Sequence, residues 1–210
     1  MRAWIFLLLI TPLTVIGQEA KQYSFTGKKF NFTLFATRSL SADNINYSCG
    51  IDSIVITSKQ HGNRLQAIVC NENSYFCTDG EKPGFLVEDM NFDGEEDFRL
   101  MQFLPAGPNI PYYYWLYNAK TSRFEPNTQL EEITSPVFDK HSKRIVSEWR
   151  NGAATSGKTL YEYRNGIPMA VEERSMDYGQ KEGYILYTTK KLAGGKLKTV
   201  SKKLVKEKNR

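Results

Sequence analysis

Residues 160–173 read L-Y-E-Y-R-N-G-I-P-M-A-V-E-E, and this stretch decides the fold class. Asn165-Gly166 is a favoured two-residue connection between antiparallel strands, because both residues tolerate the positive φ angles of a type I′ turn. The flanking segments, Leu160–Arg164 and Ile167–Glu173, are short, apolar in part and without helical periodicity. The sequence therefore predicts a β-hairpin at this point.

Strand-like runs bounded by turn residues continue in both directions along the chain. Tyr184–Lys191 and Lys196–Leu204 flank Gly194-Gly195 and predict a second hairpin. Tyr112–Tyr117 is an aromatic run that we expect to be a strand buried on both faces. Further strands are expected at 24–34, 51–57, 65–70, 85–87, 98–103 and 144–150. No long amphipathic helix is visible, so we predict an all-β chain, an antiparallel meander of hairpins forming a sandwich or propeller-like single domain.

The N-terminal segment predicts export. Residues 1–17 begin with a cation at Arg2, continue with an apolar run and end in small or branched residues, as a secretory signal peptide does. We expect residues 18–210 to be a single β-rich domain located in the periplasm or secreted. No other apolar run is long enough to cross a membrane.

The net charge of +5 is unevenly distributed along the sequence. Residues 190–210 contain nine Lys or Arg and one Glu, whereas residues 18–189 have a net charge of −4. The body of the protein is therefore mildly acidic, which argues against a nucleic-acid binder. We expect the basic tail, about 196–210, to be a lysine-protected edge strand followed by a frayed end. A tail that binds a membrane or a polyanion is the alternative.

Three cysteines, Cys49, Cys70 and Cys77, would meet an oxidising compartment after export. A disulfide is therefore expected, and its pairing stays open with one thiol left over. The chain has two histidines, His61 and His141, and neither has zinc-site spacing. Motifs for nucleophilic catalysis or nucleotide binding are also missing from the sequence, so we expect no enzymatic activity.

Residues 89–97 read D-M-N-F-D-G-E-E-D, the most specific motif of the chain. Oxygen donors at alternate positions converge when such a loop curls, and hard oxygen ligands at this spacing suit Ca²⁺. The predicted ligands are the side chains of Asp89, Asn91, Asp93 and Asp97, with the carbonyl of Glu95. Position twelve is Leu100 instead of the bidentate Glu of an EF-hand. With strands expected on both sides, we predict a structural strand–loop–strand calcium site.

A second candidate site is the segment 151–163, N-G-A-A-T-S-G-K-T-L-Y-E-Y. Its small polar residues are typical of a loop that projects from a sheet, and such a loop can enter a partner's cleft. Within it, Lys158 can pair with carboxylates and Ser156 can form hydrogen bonds with them.

The blocks V-E-D-M-N-F-D-G-E-E-D-F-R-L, Y-Y-W-L-Y-N-A-K-T-S-R-F-E, I-T-S-P-V-F-D-K-H-S-K-R-I-V-S and Y-E-Y-R-N-G occur in this order between about residues 50 and 175. In this the chain resembles calcium-binding periplasmic immunity proteins, which inhibit lysozyme-like peptidoglycan hydrolases and are akin to invertebrate-type lysozyme inhibitors. Other periplasmic lysozyme inhibitors have an S-G-x-x-Y inhibitory loop. Here Ser156, Gly157, Lys158 and Tyr161 fall in S-G-K-T-L-Y, one residue longer.

The resemblance implies an exported, calcium-binding protein that blocks the cleft of a lysozyme-like hydrolase without doing chemistry. The acidic body would favour a cationic hydrolase through long-range attraction. The alternative is a calcium-stabilised cell-envelope module that binds a glycan or protein without inhibiting an enzyme, using exposed aromatics such as Tyr112–Tyr114.

Overall fold

The computed structural model describes residues 18–40, 47–70 and 84–207. In these residues fourteen strands form three antiparallel sheets, and the single α-helix has four residues. Every strand pairs with its neighbours in the sequence, so each sheet is a simple meander. The predicted all-β meander of hairpins is therefore confirmed, with three sheets.

The first sheet has the order β1-β2-β3-β4. Its strands are β1 (Gln18–Thr26), β2 (Phe30–Leu40), β3 (Tyr47–Ser58) and β4 (Arg64–Val69). The alternating run expected at 24–34 is two strands, because residues 27–29 turn the chain between β1 and β2.

The second sheet has the order β5-β6-β7-β8 and is followed by the helix. Its elements are β5 (Phe85–Glu88), β6 (Asp97–Met101), β7 (Tyr112–Asn118), β8 (Arg123–Pro126) and α1 (Thr128–Glu131). Asn127 caps the helix by accepting a hydrogen bond from the backbone N–H of Leu130. The sequence analysis did not anticipate β8 or α1, both of which are only four residues long.

The third sheet has the order β14-β13-β12-β11-β10-β9. Its strands are β9 (Pro136–Asp139), β10 (Arg144–Asn151), β11 (Thr155–Arg164), β12 (Ile167–Asp177), β13 (Tyr184–Ala193) and β14 (Lys196–Lys206). Both predicted hairpins are confirmed. The φ angles of Asn165, Gly166, Gly194 and Gly195 lie between 53° and 78°, as type I′ turns require. The lysine-rich tail forms the edge strand β14, as expected.

The second sheet lies between the other two, and apolar residues cover both of its faces. On one face Phe98 and Leu100 pack with Phe32 and Ile54 of the first sheet. On the other face the second sheet contributes to a second cluster with the third sheet. The members of that cluster are Met90, Tyr112, Tyr114, Leu130, Ile133, Phe138 and Ile145. The prediction that the aromatic strand at 112–117 is buried on both sides is thus confirmed.

Two polar contacts join the sheets. Gln66 of β4 donates a hydrogen bond to the carbonyl of Phe124 at 3.0 Å and accepts one from its N–H at 2.8 Å, so the amide group continues the edge of β8. Arg99 is buried and pairs with Glu88 at 2.8 Å, donates to the Pro136 carbonyl at 3.0 Å and lies over the ring of Tyr112. Burial raises the pKa of Glu88, and the charge of Arg99 opposes this.

Several expectations concern parts of the chain outside the described residues. The predicted signal peptide, residues 1–17, is one, and Cys77 is another. Cys70 is a free cysteine in the structure, whose thiol pKa is raised to about 11 by burial and by the charge of Asp52. No helix in the described ranges is long and apolar enough to span a membrane.

Candidate functional site

The acidic loop, residues 89–97, connects β5 to β6, so the predicted strand–loop–strand context is correct. Its side chains fold inward onto the loop backbone. Asp89 accepts hydrogen bonds from the N–H groups of Asp93 and Gly94, both at 3.1 Å, and Asp93 accepts one from Glu95 at 2.8 Å. Gly94 has a φ of 94°, which a residue with a side chain rarely adopts. The curl predicted from the spacing is therefore present.

Asp97 anchors the end of the acidic loop in the interior. It is fully buried, and its two carboxylate oxygens accept hydrogen bonds from the N–H groups of Met90 and Tyr117, each at 2.8 Å. Burial raises the pKa of this carboxyl to about 7 against the effect of those hydrogen bonds, and the negative charges of Asp93 and Asp89 raise it further.

A buried hydroxyl lies close to this loop. The Tyr163 hydroxyl oxygen on β11 is buried and has no hydrogen-bond partner among the described residues. Its pKa is raised by burial and then by the charge of Asp97, and its ring meets that of Phe92 in the loop edge-on at 6.1 Å. Phe92 and Tyr163 thus connect the acidic loop to the strand that contains the predicted partner-binding residues.

The oxygen donors of the loop fit a hard cation in type and number. Each carboxylate oxygen has two acceptor sites, so the hydrogen bonds to the loop backbone leave capacity for a metal. The Glu95 side chain is held at 2.6 Å by Lys29, which is consistent with a role for the Glu95 carbonyl only. In the described residues no three His, Cys, Asp or Glu side chains are close enough together to form a recognisable metal cluster. The calcium site therefore stays a prediction.

The predicted partner-binding residues do not lie on a projecting loop. Residues 155–164 are the regular strand β11, paired with β10 on one side and β12 on the other. Only residues 152–154 form the turn. The loop interpretation of 151–163 was therefore wrong, because small polar residues and a glycine can also belong to an interior strand.

The strand separates Tyr161 from Ser156 and Lys158. Side chains of a strand alternate between its two faces, so residues five apart point to opposite sides. Tyr161 pairs with the buried Ile145 and packs on the second core cluster, and burial raises the pKa of its hydroxyl. The additional residue in S-G-K-T-L-Y thus directs the tyrosine to the interior, whereas S-G-x-x-Y spacing would put it on the face of the serine.

Gly157 has a packing role on the interior face. A Cβ atom at this position would lie 2.5 Å from Cζ2 of Trp149 and 2.7 Å from the backbone oxygen of Arg174. The indole of Trp149 lies across the glycine and donates a hydrogen bond to Oγ1 of Thr159 at 3.0 Å. Because both distances are shorter than real Cβ contacts, the indole can occupy this position only over a glycine.

Ser156 and Lys158 belong to the rim of a groove of about 460 Å³ on the third sheet. The register aligns Glu148, Lys158 and Arg174 on three adjacent strands, so these side chains share a face. Arg150 also lines the groove, whose lining has three cations and one carboxylate. Arg174 is paired with Glu172 of its own strand at 2.6 Å, so Arg150 is the cation of the lining without an ion pair among the described residues. Lys158 pairs with Glu148 at 2.8 Å, and both are exposed. We name this the Lys158 face.

The sequence analysis missed Arg150, Arg174 and Trp149 as residues of this groove. The Asn165-Gly166 turn sets Tyr161 opposite Ala170, and counting on from there would place Glu173 opposite Lys158. A bulge beside Leu160 shifts the register by one residue and brings Arg174 there instead, which the sequence pattern did not show. Of the aromatics suggested for glycan binding, Tyr112–Tyr114, only Tyr113 is half-buried. Tyr112 and Tyr114 are both buried, so that suggestion was wrong.

No family model and no curated protein sequence matches this chain. Among solved structures, one of a Xanthomonas protein related to a type IV secretion system is similar, with a TM-score of 0.61. The two chains are 14% identical, and the match covers 91% of this chain and 96% of the other. This likeness establishes the fold over nearly the whole chain. Neither sequence comparison supports membership of the lysozyme-inhibitor family, which remains a resemblance.

Proposed function

We propose that this protein is an exported cell-envelope protein that inhibits a lysozyme-like peptidoglycan hydrolase by binding in its cleft. The observation that supports this most is the Lys158 face, where Ser156 and three cations surround a groove. Hydrolases of this class use a pair of carboxylates at the scissile bond, so their clefts are locally acidic. A cationic groove with a hydroxyl at its rim is complementary to such a cleft.

The ion pair between Lys158 and Glu148 is suited to exchange for a partner. Lys158 is 49% exposed and Glu148 69%, and a pair this accessible to water contributes little to folding. Lys158 can therefore leave Glu148 and pair with a carboxylate of the hydrolase at small cost. The Lys158 face is cationic although the body of the protein is acidic. Recognition of the hydrolase would therefore depend on local charge pairing in its cleft, and not on the net charge of the protein.

The proposed activity is binding without turnover. The groove lining contains no histidine or cysteine, and its one carboxylate, Glu148, is already paired with Lys158. The similarity in fold to a protein related to a type IV secretion system supports a location in the cell envelope. The same location fits the alternative, an envelope module that binds a protein or glycan without inhibition.

A turbidity assay with lysozyme-like hydrolases tests inhibition. We expect the protein to slow the clearing of a peptidoglycan suspension and Lys158→Glu to raise the inhibition constant at least tenfold, because it places a like charge against the cleft. Lys120→Glu, on an exposed turn of the second sheet, is the matched control and should inhibit normally. Failure to inhibit any such hydrolase, or normal inhibition by Lys158→Glu, would contradict the proposal.

We further propose that Ca²⁺ bound by the acidic loop stabilises the protein. The ion would be held by side-chain oxygens of Asp89, Asn91, Asp93 and Asp97 and by the Glu95 carbonyl. Its positive charge would offset the cost of burying Asp97, and the contact of Phe92 with Tyr163 would extend this support to β11.

Thermal unfolding with and without a chelator tests the calcium site. We expect EDTA to lower the melting temperature and Asp93→Ala to remove this difference. Asp139→Ala is the control, because Asp139 is the last residue of β9, outside the acidic loop, and its carboxylate accepts a hydrogen bond from the Ser142 hydroxyl. Equal melting with EDTA and with added calcium, together with no heat of calcium binding, would refute the site.

A further inference from the structure

The hairpin of β13 and β14 is the most one-sided charged surface among the described residues. Residues 184–206 contain seven lysines and no Asp or Glu. Lys190 pairs with Glu173 at 2.7 Å, and Lys191 approaches Glu172 at 3.6 Å. The five lysines of β14 have no ion pair with any described residue, and they are all exposed. These are Lys196, Lys198, Lys202, Lys203 and Lys206.

β14 is also an open edge of the protein. It pairs only with β13, and the described part of the chain places no strand on its other side. Edge strands are commonly protected by charged side chains, especially lysines. Five lysines on eleven residues, with no acidic residue among them, also make β14 a continuous cationic edge.

Apolar side chains are exposed between these lysines. Val200 is 57% exposed and Leu204 46%. Val200 is the bulged residue, because Ser201 pairs with Thr189 and Thr199 with Lys190, which leaves it outside the ladder. Aliphatic and cationic side chains therefore reach the solvent from one edge.

We propose that the β14 edge docks this protein on an anionic phospholipid surface. Lysines reach lipid phosphates while their aliphatic stems lie along the apolar boundary, and exposed Val and Leu enter that boundary. A single-stranded nucleic acid or a glycan would favour arginine or aromatic residues for stacking, and β14 has neither. The proposal is independent of hydrolase inhibition, because it uses β14 instead of the Lys158 face.

Vesicle co-sedimentation tests the docking. The purified protein and its variants, all with the same N-terminus, are mixed with phosphatidylcholine vesicles with and without phosphatidylglycerol, at low and at high salt. We expect binding only to the anionic vesicles, weakened by salt. Substitution of Lys198, Lys202 and Lys203 by glutamine should weaken it about fivefold for each lysine.

Matched variants show how much of the vesicle binding depends on charge, on apolar contact and on the position of the lysines in the fold. Glutamine at Lys28, Lys120 and Lys140 removes the same charge from exposed positions elsewhere and should change binding much less. Val200→Ser with Leu204→Ser should weaken vesicle binding without lowering the melting temperature, because both side chains are exposed in the folded protein.

Each remaining outcome overturns the proposal. Binding to vesicles without phosphatidylglycerol, or unchanged binding after loss of the three β14 lysines, excludes this edge. Tight binding of soluble polyphosphate together with full vesicle binding by the Val200→Ser, Leu204→Ser variant would identify a general polyanion site. Lys158→Glu must leave vesicle binding intact. If it weakens binding, the Lys158 face and the β14 edge are one surface, and the proposal of a separate docking edge is wrong.

Discussion

The replacement of Gly157 by alanine is the sharpest test of how β11 is built. The new methyl group would lie 2.5 Å from Cζ2 of Trp149, 2.8 Å from its Cε2 and 2.7 Å from the carbonyl oxygen of Arg174. The oxygen belongs to the backbone of β12, which is paired with β11, so the methyl group forces a small shift between the two strands. The indole must move as well. Its displacement also breaks the hydrogen bond to Thr159.

The expected magnitude follows from two opposing effects. Overpacking by one methyl group costs about 1–3 kcal/mol, whereas loss of chain entropy in the unfolded state returns about 0.4–1 kcal/mol. The net loss of stability is therefore about 1–2 kcal/mol, which corresponds to a melting temperature lowered by about 2–8 °C in a chain of this length.

Thermal unfolding followed by near-ultraviolet circular dichroism would measure both the loss and the displaced indole. Gly107→Ala is the control, because its Cβ meets nothing within 4 Å, and it should change stability by no more than about 0.5 kcal/mol. In a Trp149→Ala background the cost of Gly157→Ala should fall by at least half. If Gly157→Ala is as stable as the wild-type protein, or costs the same without the indole, the packing argument is refuted.

Three further outcomes are expected. Arg99→Leu should lower the free energy of unfolding, measured by urea titration, by about 3 kcal/mol, because Glu88 is left half-buried without its partner. Adding Glu88→Gln to this variant should recover part of the loss. Gln66→Leu should cost about 1–3 kcal/mol in the same titration, since it removes both hydrogen bonds to the Phe124 backbone, and a neutral result would contradict this role. Cys70 should react slowly with iodoacetamide at neutral pH and faster as the pH approaches its pKa of about 11, which peptide mass spectrometry would measure. Fast labelling at neutral pH would contradict its burial.

Much of the fold was readable from local chemistry. Asn165-Gly166 and Gly194-Gly195 specify their turns through backbone conformations that few other residues adopt, so both hairpins were predicted with correct partners. The grouping of hairpins into three sheets was not readable in this way. It depends on which faces of Phe98 and Tyr114 meet which neighbours, and alternation within a strand does not identify the partner sheet.

The candidate sites show the same limit. The acidic loop was placed correctly between two strands, because ligand spacing and Gly94 are local signals. The segment around Gly157 was misread, because a glycine required by a tryptophan on a neighbouring strand has the same sequence signature as a glycine in a loop. The spacing in the sequence was enough to correct the prediction for Tyr161. Two residues five apart on a strand point to opposite faces, so Tyr161 and Ser156 could not share one.

The meander topology has a consequence for biogenesis. Every strand hydrogen-bonds to strands adjacent in the sequence, so each sheet can assemble as soon as its own residues emerge, without waiting for a distant segment. The second sheet then offers one apolar face to the first sheet and the other to the third. The described strands could in this way pair in the order of synthesis, with the lysine edge after the other thirteen.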